Sequence, residues 1–280
     1  MASGNDHMLG DLVARGTRSS IHAYGRGAVA KVPHPSTPDG WIESEAEYAE
    51  AARAVGAPVP RLLGMEQIGG RAVSVWERVA GTSMWQRIID RPGLSTELGA
   101  QLADVQFGLF ELVPPVSLPS QRDRLVSKIR RSAATLDASF ARALDLFTAQ
   151  SNTPRLCHGD LHPSNIILSK DGPVVVDWFD ASRGDPVADV ARTSLLLGAG
   201  ATAQQHLPGA SGDTLAVLTD AYLRRASVRL DIEDGQLARW QAIEAVARMA
   251  EGVPRDALLE TWTRFAEADD SEPARQAAAN

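Results

Sequence analysis

The hydrophobic pattern of the chain changes once, near residue 80, and this change most limits the folds open to it. Up to residue 79 the pattern is typical of short strands separated by glycine, with one helix predicted at 42–55. The predicted strands lie at residues 12–14, 20–24, 28–32, 61–67 and 71–77. From Gly81 onward the pattern is mostly helical. One apolar stripe with spacings of four and three residues comprises Leu98, Leu102, Val105, Leu109 and Leu112.

This division predicts an α+β protein with two lobes, a small antiparallel-sheet N-terminal lobe and a larger helical C-terminal lobe. We place the first lobe at residues 10–80 and the second at residues 81–267. Residues 1–9 are expected to form a disordered or artificially added tail, and the polar, alanine-rich residues 268–280 a loose one.

Composition narrows the class of protein. The 280 residues are 44% hydrophobic, enough for a sizeable core, and the net charge is −7. Nearly all of that charge lies after residue 80, where we count 26 acidic and 20 basic residues. A nucleic-acid-binding protein should carry the opposite excess. Without a signal-like or membrane-length apolar segment, the sequence predicts a cytoplasmic protein with no nucleic acid or membrane partner. Its only cysteine, Cys157, is predicted to be a buried structural thiol.

The segment "CHGDLHPSNIILSKDGPVVVDWFD" concentrates polar acceptors around one short hairpin. Apolar strands are predicted at residues 166–168 and 174–176, on either side of an Asp-Gly turn. Asp160 and Asn165 precede the first strand, while Asp177 and Asp180 follow the second. Because a hairpin places its two ends side by side, these four side chains are expected to converge.

Converging carboxylates repel each other unless a cation or a proton lies between them. Asn165 and Asp177 offer the hard oxygen ligands that suit Mg²⁺, which leaves Asp160 for proton transfer. The spacing His158-x-Asp160-x-x-x-x-Asn165, with Asp177 twelve residues later, matches the catalytic loop and metal aspartate of kinase-type phosphoryl transfer.

Three stretches, "HGDLHPSN", "VVDWFDA" and "RGDPVADVAR", resemble the signatures of the aminoglycoside phosphotransferase and small-molecule kinase family. The resemblance covers roughly residues 10–265 and implies a protein-kinase-like fold. It implies that Asp160 accepts the proton of the acceptor hydroxyl and that Asn165 and Asp177 hold Mg²⁺ between the nucleotide phosphates. His158 would support the loop and Asp189 would be an inner structural acceptor. Unlike protein kinases, the chain has glycine rather than arginine after His158, and "DWF" replaces Asp-Phe-Gly.

A kinase also needs a cation on the nucleotide phosphates and a carboxylate that orients it. Lys31 ends the strand "AVAK", and Glu45 lies on the helix that follows. Glu43 and Glu47 are alternatives, but the distance from Glu45 to "APVP" resembles the family best.

The rest of the predicted nucleotide site comes from a loop and a linker. The loop "RGTRSSIHAYG" supplies Gly16, Ser19 and Ser20, whose amides are placed to cradle phosphate. The stretch "VWERVAG" matches the linker between lobes. There Trp76 would border the purine and the backbone of Glu77 and Val79 would face it. The co-substrate is therefore expected to be ATP or GTP.

Acidic residues outside the loop bear on the acceptor. Glu244 and Glu251 lie two turns apart on a predicted helix, and with Asp160 and Asp180 they would form a negative wall in the cleft. That wall favours a cationic acceptor. In the alternative, Glu244 pairs with Arg248 and Glu251 lies on the surface.

The sequence thus predicts an ATP- or GTP-dependent phosphotransferase acting on a small-molecule hydroxyl. The favoured acceptor is a cationic antibiotic of the aminoglycoside or tuberactinomycin type, which would give resistance. The alternatives are a metabolic kinase for choline, homoserine or a sugar, and an inactive kinase-like binding module. A metal-dependent phosphoesterase is less favoured, because the His and Asn clusters that it needs are missing from the sequence.

Overall fold

A computed structural model describes residues 9–132, 143, 154–198, 207–233, 235–252, 256 and 258–265. The predicted tail at 268–280 and residues 1–8 of the other predicted tail lie outside these ranges. None of the described helices combines the length and apolar character needed to cross a membrane.

An antiparallel sheet of five strands forms the N-terminal part. The strands are β1 (Leu12–Arg15), β2 (Ser19–Tyr24), β3 (Ala28–Pro33), β4 (Leu62–Ile68) and β5 (Arg71–Glu77). Their order in the sheet is β1-β2-β3-β5-β4, so β3 lies in the centre. Lys31 faces Ile21 of β2 on one side and Ser74 of β5 on the other, which places the lysine in the middle of the sheet.

Helix α1 (Trp41–Ala54) connects β3 to β4. Its buried face contains Trp41, Ile42, Glu45, Ala46, Ala49 and Ala52. These residues recur at helical spacing, and all but one are apolar. Glu45 is the exception, since it is a carboxylate on a face that packs against the protein.

The remainder of the chain is mainly helical. Its helices are α2 (Met84–Asp90), α3 (Ser95–Phe110), α4 (Gln121–Ser132), α5 (Pro186–Leu197), α6 (Gly212–Leu230) and α7 (Gln236–Arg248), and residues 258–265 are also helical. The predicted stripe on α3 is buried at Leu98, Leu102, Val105 and Leu109, where the helix packs against α6. The predicted division into an antiparallel N-terminal sheet and a helical part is confirmed.

Two small sheets interrupt the helices. β8 (Ile166–Ser169) and β9 (Gly172–Val175) form the predicted hairpin, and β6 (Gly81–Ser83) adds a third strand that the pattern did not predict. β7 (Arg155–Cys157) pairs with β10 (Ser182–Gly184). The β7–β10 pair lies on either side of the segment that contains Asp160, Asn165, Asp177 and Asp180. Both ends of that segment are therefore held by strand pairing. Cys157 is fully buried there, as predicted.

Candidate active site

The β8–β9 hairpin brings its two polar ends together, as the sequence predicts. Asn165 immediately precedes β8, and its carbonyl accepts a hydrogen bond from the Val176 amide at 3.0 Å. Asp177 follows one residue later with a φ of 66°, a left-handed conformation that is uncommon for a residue other than glycine. Strained conformations of this kind cluster at functional sites. Asp177, a predicted metal ligand, therefore turns away from the direction of strand β9.

Lys31 joins this hairpin to the N-terminal sheet. Its Nζ donates to Glu45 Oε1 at 2.6 Å and to Asp177 Oδ1 at 3.0 Å. Glu43 and Glu47 are exposed on the outer face of α1, so Glu45 is the glutamate that reaches the lysine. The side chain of Trp41 lies over the same ammonium, with 4.8 Å from Nζ to the ring centroid.

Two carboxylates share one ammonium in this cluster. Burial alone would lower the pKa of Lys31, but the charges of Asp177 and Glu45 outweigh burial and raise it. Burial raises the pKa of Glu45 to about 7, and the neighbouring charge of Lys31 only partly opposes this rise. Lys31 therefore remains a cation, and the cluster holds more negative than positive charge when both carboxylates are ionised. Such a site favours the binding of a further cation.

Asp189 anchors the loop that contains Asp160. It accepts hydrogen bonds from the Gly159 amide at 2.8 Å and from the His158 amide at 3.2 Å, and Gln106 donates to it at 2.9 Å. His158 donates from Nε2 to the Val176 carbonyl and accepts at Nδ1 from the Asp160 amide. The inner structural acceptor and the supporting histidine thus lie where the family resemblance implies.

Gly159 shows why this loop has no arginine after its histidine. Its φ is 77°, and a Cβ at this position would collide with the carbonyl oxygen of Asp180. Glycine meets both requirements because it lacks a Cβ. The loop therefore packs more closely on the segment after Asp177 than a larger residue would allow.

The Asp160 side chain contacts a residue that the sequence did not indicate. Arg192 Nη2 lies 3.2 Å from Asp160 Oδ1, and His162 Nε2 lies 3.9 Å from Oδ2. The Asn165 amide nitrogen donates to the backbone carbonyl of Asp160 at 3.0 Å. Asp160, Asn165 and the hairpin are therefore joined by hydrogen bonds.

The donor set fits Mg²⁺. Because the Asn165 amide nitrogen is bonded to Asp160, the oxygen of that amide is the atom that can face a cation. Asp177 is 40% exposed, so its carboxylate can accept a ligand. Within the described ranges no cluster of three or more His, Cys, Asp or Glu side chains forms an all-protein metal site. Mg²⁺ normally takes one or two protein ligands and completes its shell with water and phosphate, so Asn165 and Asp177 would suffice.

The predicted phosphate loop is the turn between β1 and β2. Gly16 is exposed, and its amide donates to the Ser19 carbonyl at 2.8 Å. Ser19 and Ser20 are buried in the first residues of β2, and Ser20 Oγ lies 3.1 Å from His22 Nε2. Ile21 pairs with Lys31 and Ser19 pairs with Pro33, so the turn lies next to the end of β3 that follows Lys31.

The predicted purine-facing residues lie at the end of β5. Trp76 is buried, and its Nε1 donates to Ser74 Oγ at 2.8 Å. The Glu77 amide donates to the Arg61 carbonyl at 2.9 Å, which commits that amide to the sheet. Val79 is half-buried in the short linker before β6. The contacts of these residues with a purine stay a prediction.

Two of the predicted acceptor residues, Asp180 and Glu251, are paired with basic side chains. Asp180 Oδ1 lies 3.1 Å from Lys128 Nζ and 3.4 Å from Arg124 Nη1. Glu251 Oε1 lies 2.9 Å from Lys128 Nζ and 3.0 Å from Arg192 Nη1. The negative wall is therefore neutralised from within the protein.

Glu244 and Arg248 complete this region. Both are buried, and burial raises the pKa of Glu244 to about 7 despite the nearby charge of Arg192. Arg248 is 3.6 Å from Glu251 in an i, i+3 pair. Burial and the charge of Arg192 lower the pKa of Arg248 to about 10.

Sequence reasoning missed the basic residues of this site. Arg192 lies in the quoted stretch "RGDPVADVAR", three residues after Asp189 on α5, so its helical spacing was a usable signal. Arg124 and Lys128 are four residues apart on α4, which places them on one face. Nothing in the sequence around α4 indicated that this face meets Asp180 and Glu251.

Solved structures with the same fold include several phosphotransferases. An aminoglycoside-3'-phosphotransferase of type VIII superposes with a TM-score of 0.58 at 21% identity, covering 86% of this chain and 92% of that chain. A choline/ethanolamine kinase family protein from Mesorhizobium loti gives 0.55 at 18% identity, covering 96% and 90%. A thermostable mutant of aminoglycoside phosphotransferase APH(4)-Ia, in ternary complex with AMP-PNP and hygromycin B, gives 0.60 at 17% identity, covering 93% and 91%.

No curated protein matches this chain in sequence. The sequence model of the phosphotransferase enzyme family, however, matches residues 17–216. That match begins at the predicted phosphate loop and extends past α5, so it contains both ends of the hairpin and the lysine that joins them. This protein therefore belongs to the phosphotransferase enzyme family.

Proposed function

We propose that this protein transfers the γ-phosphoryl group of ATP or GTP to a hydroxyl group of a small molecule. The observation that supports this most directly is the position of Lys31, within 3.0 Å of both Glu45 and Asp177. A cation held by a helix carboxylate next to the metal aspartate is the arrangement that kinases use to align nucleotide phosphates.

In this proposal Asp160 accepts the proton of the acceptor hydroxyl. The hydroxyl oxygen forms a bond to the γ-phosphorus, the bond between that phosphorus and the β–γ bridging oxygen breaks, and the nucleoside diphosphate leaves with the electron pair. Lys31 binds phosphate oxygens and orients them, and the charge that develops there is partly offset by its ammonium. Asn165 keeps the loop of Asp160 next to the hairpin.

Asn165 and Asp177 would hold Mg²⁺ in this proposal. When bound, the ion supplies charge neutralisation for the β- and γ-phosphates. Two of the similar structures are described as complexes with AMP-PNP or ADP and hygromycin B, which supports a nucleotide co-substrate in this chain.

The acceptor class has two candidates. The fold shared with aminoglycoside phosphotransferases supports a cationic antibiotic, bound by Asp180, Glu244 and Glu251. Asp180, however, contacts two basic side chains within 4.0 Å and Glu251 contacts three, so a cationic acceptor would have to displace those contacts. This pairing favours the second candidate, a metabolic kinase with a less cationic acceptor.

A coupled ADP- or GDP-release screen tests the proposal. The purified protein would be incubated with Mg²⁺, ATP or GTP, and a panel of aminoglycosides, tuberactinomycins, amino alcohols, hydroxy amino acids and sugars. We expect nucleotide consumption only with an acceptor, and mass spectrometry of the product should show one added phosphate. Hydrolysis of model phosphate esters without nucleotide would indicate a phosphoesterase instead. Nucleotide binding without turnover across the panel would contradict a kinase and favour an inactive binding module.

A further inference from the structure

We propose that Arg192 is a positioning residue that orients the Asp160 carboxylate, and that Glu251 holds Arg192 for this task. The inference rests on the proposed function, because it takes Asp160 as the base. It gives Glu251 a role in positioning the loop where the sequence predicted a contact with the acceptor.

Arg192 contacts three groups through three different nitrogens. Its Nε donates to the Gly159 carbonyl at 3.1 Å, and its Nη2 donates to Asp160 Oδ1 at 3.2 Å. Its Nη1 donates to both oxygens of Glu251 at 3.0 Å. Because the guanidinium group is planar, fixing two of these contacts determines the direction of the third. The position of Asp160 Oδ1 is therefore tied to that of Glu251.

Helix α5 binds the backbone on both sides of the Gly159 Cα. Asp189 accepts from the Gly159 amide, and Arg192 donates to the Gly159 carbonyl. The two residues are three positions apart on α5, so they lie on one face of a buried helix. The backbone before Asp160 is thus fixed by one rigid element, and the same arginine then reaches the Asp160 side chain.

Burial strengthens these contacts. The Arg192 side chain is only 6% exposed, so water screens its charge little. Burial by itself would lower the pKa of Arg192, but Glu251 and Asp160 outweigh burial and raise it above its usual value. The arginine is therefore charged at neutral pH, where it can pair with the ionised Asp160 carboxylate.

Glu251 belongs to a chain of alternating charges. This ion-pair chain runs through Arg124, Asp180, Lys128, Glu251, Arg192 and Asp160, with successive contacts of 3.4, 3.1, 2.9, 3.0 and 3.2 Å. Burial acts to raise the pKa of Glu251, but the charges of Arg192 and Lys128 prevail and lower it to about 2. Glu251 is thus an anion at neutral pH that lies between Lys128 and Arg192, with Arg248 at 3.6 Å, and this suits it to hold Arg192 in place.

Two other roles predict different results. If Arg192 only stabilised packing between α5 and the loop, its replacement would lower thermal stability while the folded fraction kept its kcat. If Glu251 bound the acceptor, its replacement would raise the acceptor KM while kcat hardly changed. A positioning role predicts a fall in kcat at nearly constant KM for both substrates.

The test compares Arg192→Met, Arg192→Lys and Glu251→Gln with Arg225→Met. Arg225 is a matched control, because it makes a bidentate pair with Asp104 at 2.9 and 3.2 Å between α6 and α3. We expect Arg192→Met to lower kcat about 10- to 100-fold, as displacement of a reacting group does, with both KM values within about threefold of wild type. Arg192→Lys should restore part of kcat, Glu251→Gln should lower kcat less than Arg192→Met, and Arg225→Met should leave kcat unchanged.

A second measurement does not depend on activity. Hydrogen exchange of the Gly159 and Asp160 amides should be faster in Arg192→Met and Glu251→Gln than in wild type or Arg225→Met. Wild-type kcat in folded Arg192→Met, or a Glu251→Gln variant changed only in acceptor KM, would overturn the inference. If no acceptor were phosphorylated by wild type, the proposed function would fail by itself. Unchanged exchange in Arg192→Met would then reject the positioning role separately.

Discussion

Lys31 Nζ donates to Asp177 Oδ1 at 3.0 Å, which joins the central strand of the N-terminal sheet directly to the end of the β8–β9 hairpin. The same ammonium is held by Glu45 at 2.6 Å. Nucleotide phosphates would compete with Asp177 for this cation, and Asp177 would then be available to a metal. The N-terminal sheet and the hairpin therefore meet at the Lys31 ammonium, which the proposed chemistry needs.

Lys31→Ala should raise the nucleotide KM and lower kcat together. Loss of one preorganised donor to the phosphates is expected to reduce kcat/KM on the order of 10²-fold. Initial rates over a range of nucleotide concentrations measure this. Lys170→Ala is the control, because that lysine is exposed at the hairpin turn and contacts only the neighbouring Asp171 among the pairs identified in the described ranges. Equal effects of the two substitutions would argue against Lys31 as a nucleotide contact.

Asp177→Asn should abolish the normal response of the rate to Mg²⁺. The substitution keeps the size of the side chain and its left-handed φ, which asparagine tolerates, but removes the charge that attracts the ion. A titration of activity against Mg²⁺ is the measurement, with Asp171→Asn on the hairpin turn as a control. A wild-type titration curve for Asp177→Asn would place the metal elsewhere.

Asp160→Asn should lower kcat on the order of 10²- to 10⁴-fold, which is the usual contribution of a general base. Nucleotide affinity should stay within a few fold of wild type, because in this proposal Asp160 contacts the acceptor and not the nucleotide. Calorimetric titration with a non-hydrolysable nucleotide separates the two effects. Near-wild-type turnover by the folded variant would remove Asp160 from the chemistry.

Gly159→Ala should disrupt the catalytic loop, whereas Gly70→Ala should be milder. Both glycines have similar φ values, 77° and 78°, so both substitutions introduce left-handed strain of about 1–2 kcal/mol. Only at Gly159 would the new Cβ collide with the Asp180 carbonyl; at Gly70 the space is open. We therefore expect both substitutions to lower stability, with a larger loss for Gly159→Ala, and only Gly159→Ala to lower kcat. Urea unfolding measures the stability and initial rates measure kcat.

Glu244→Gln should change the dependence of stability on pH. Burial raises the pKa of Glu244 to about 7, above the value of 4.5 that is usual for glutamate. The folded state therefore binds this proton more tightly than the unfolded state, and stability is lost as pH rises from about 4.5 to 7. Glutamine does not titrate, so the variant does not lose stability in this pH range. Relative to wild type, its free energy of unfolding should therefore rise between pH 5 and pH 8, by up to about 3 kcal/mol.

Urea unfolding of both proteins at pH 5 and at pH 8 measures this difference in the free energy of unfolding. Glu97→Gln is the control, since Glu97 is exposed on α3 and its substitution should shift stability equally at both pH values. A pH-independent effect of Glu244→Gln would mean that Glu244 is ionised in the folded protein at pH 5 as it is at pH 8.

The sequence by itself determined the parts of the site that depend on short separations along the chain. Asp160, Asn165 and Asp177 lie at the two ends of one hairpin, and the Asp-Gly turn makes those ends meet. Asp185 caps α5 by accepting a hydrogen bond from the Val187 amide at 2.8 Å, two residues further along the chain. These features follow from local backbone geometry, which spacing and residue type specify.

Only the tertiary structure decided which charges pair across the C-terminal part. Lys128 on α4, Arg192 on α5 and Glu251 after α7 are separated by 59 residues or more, yet Glu251 contacts both basic side chains. The sequence showed the carboxylates at helical spacing and predicted an open negative wall. It could not show that two other helices would place cations against them. Ion pairing depends on the packing of distant elements, and the helical pattern of one segment contains no information about its partner.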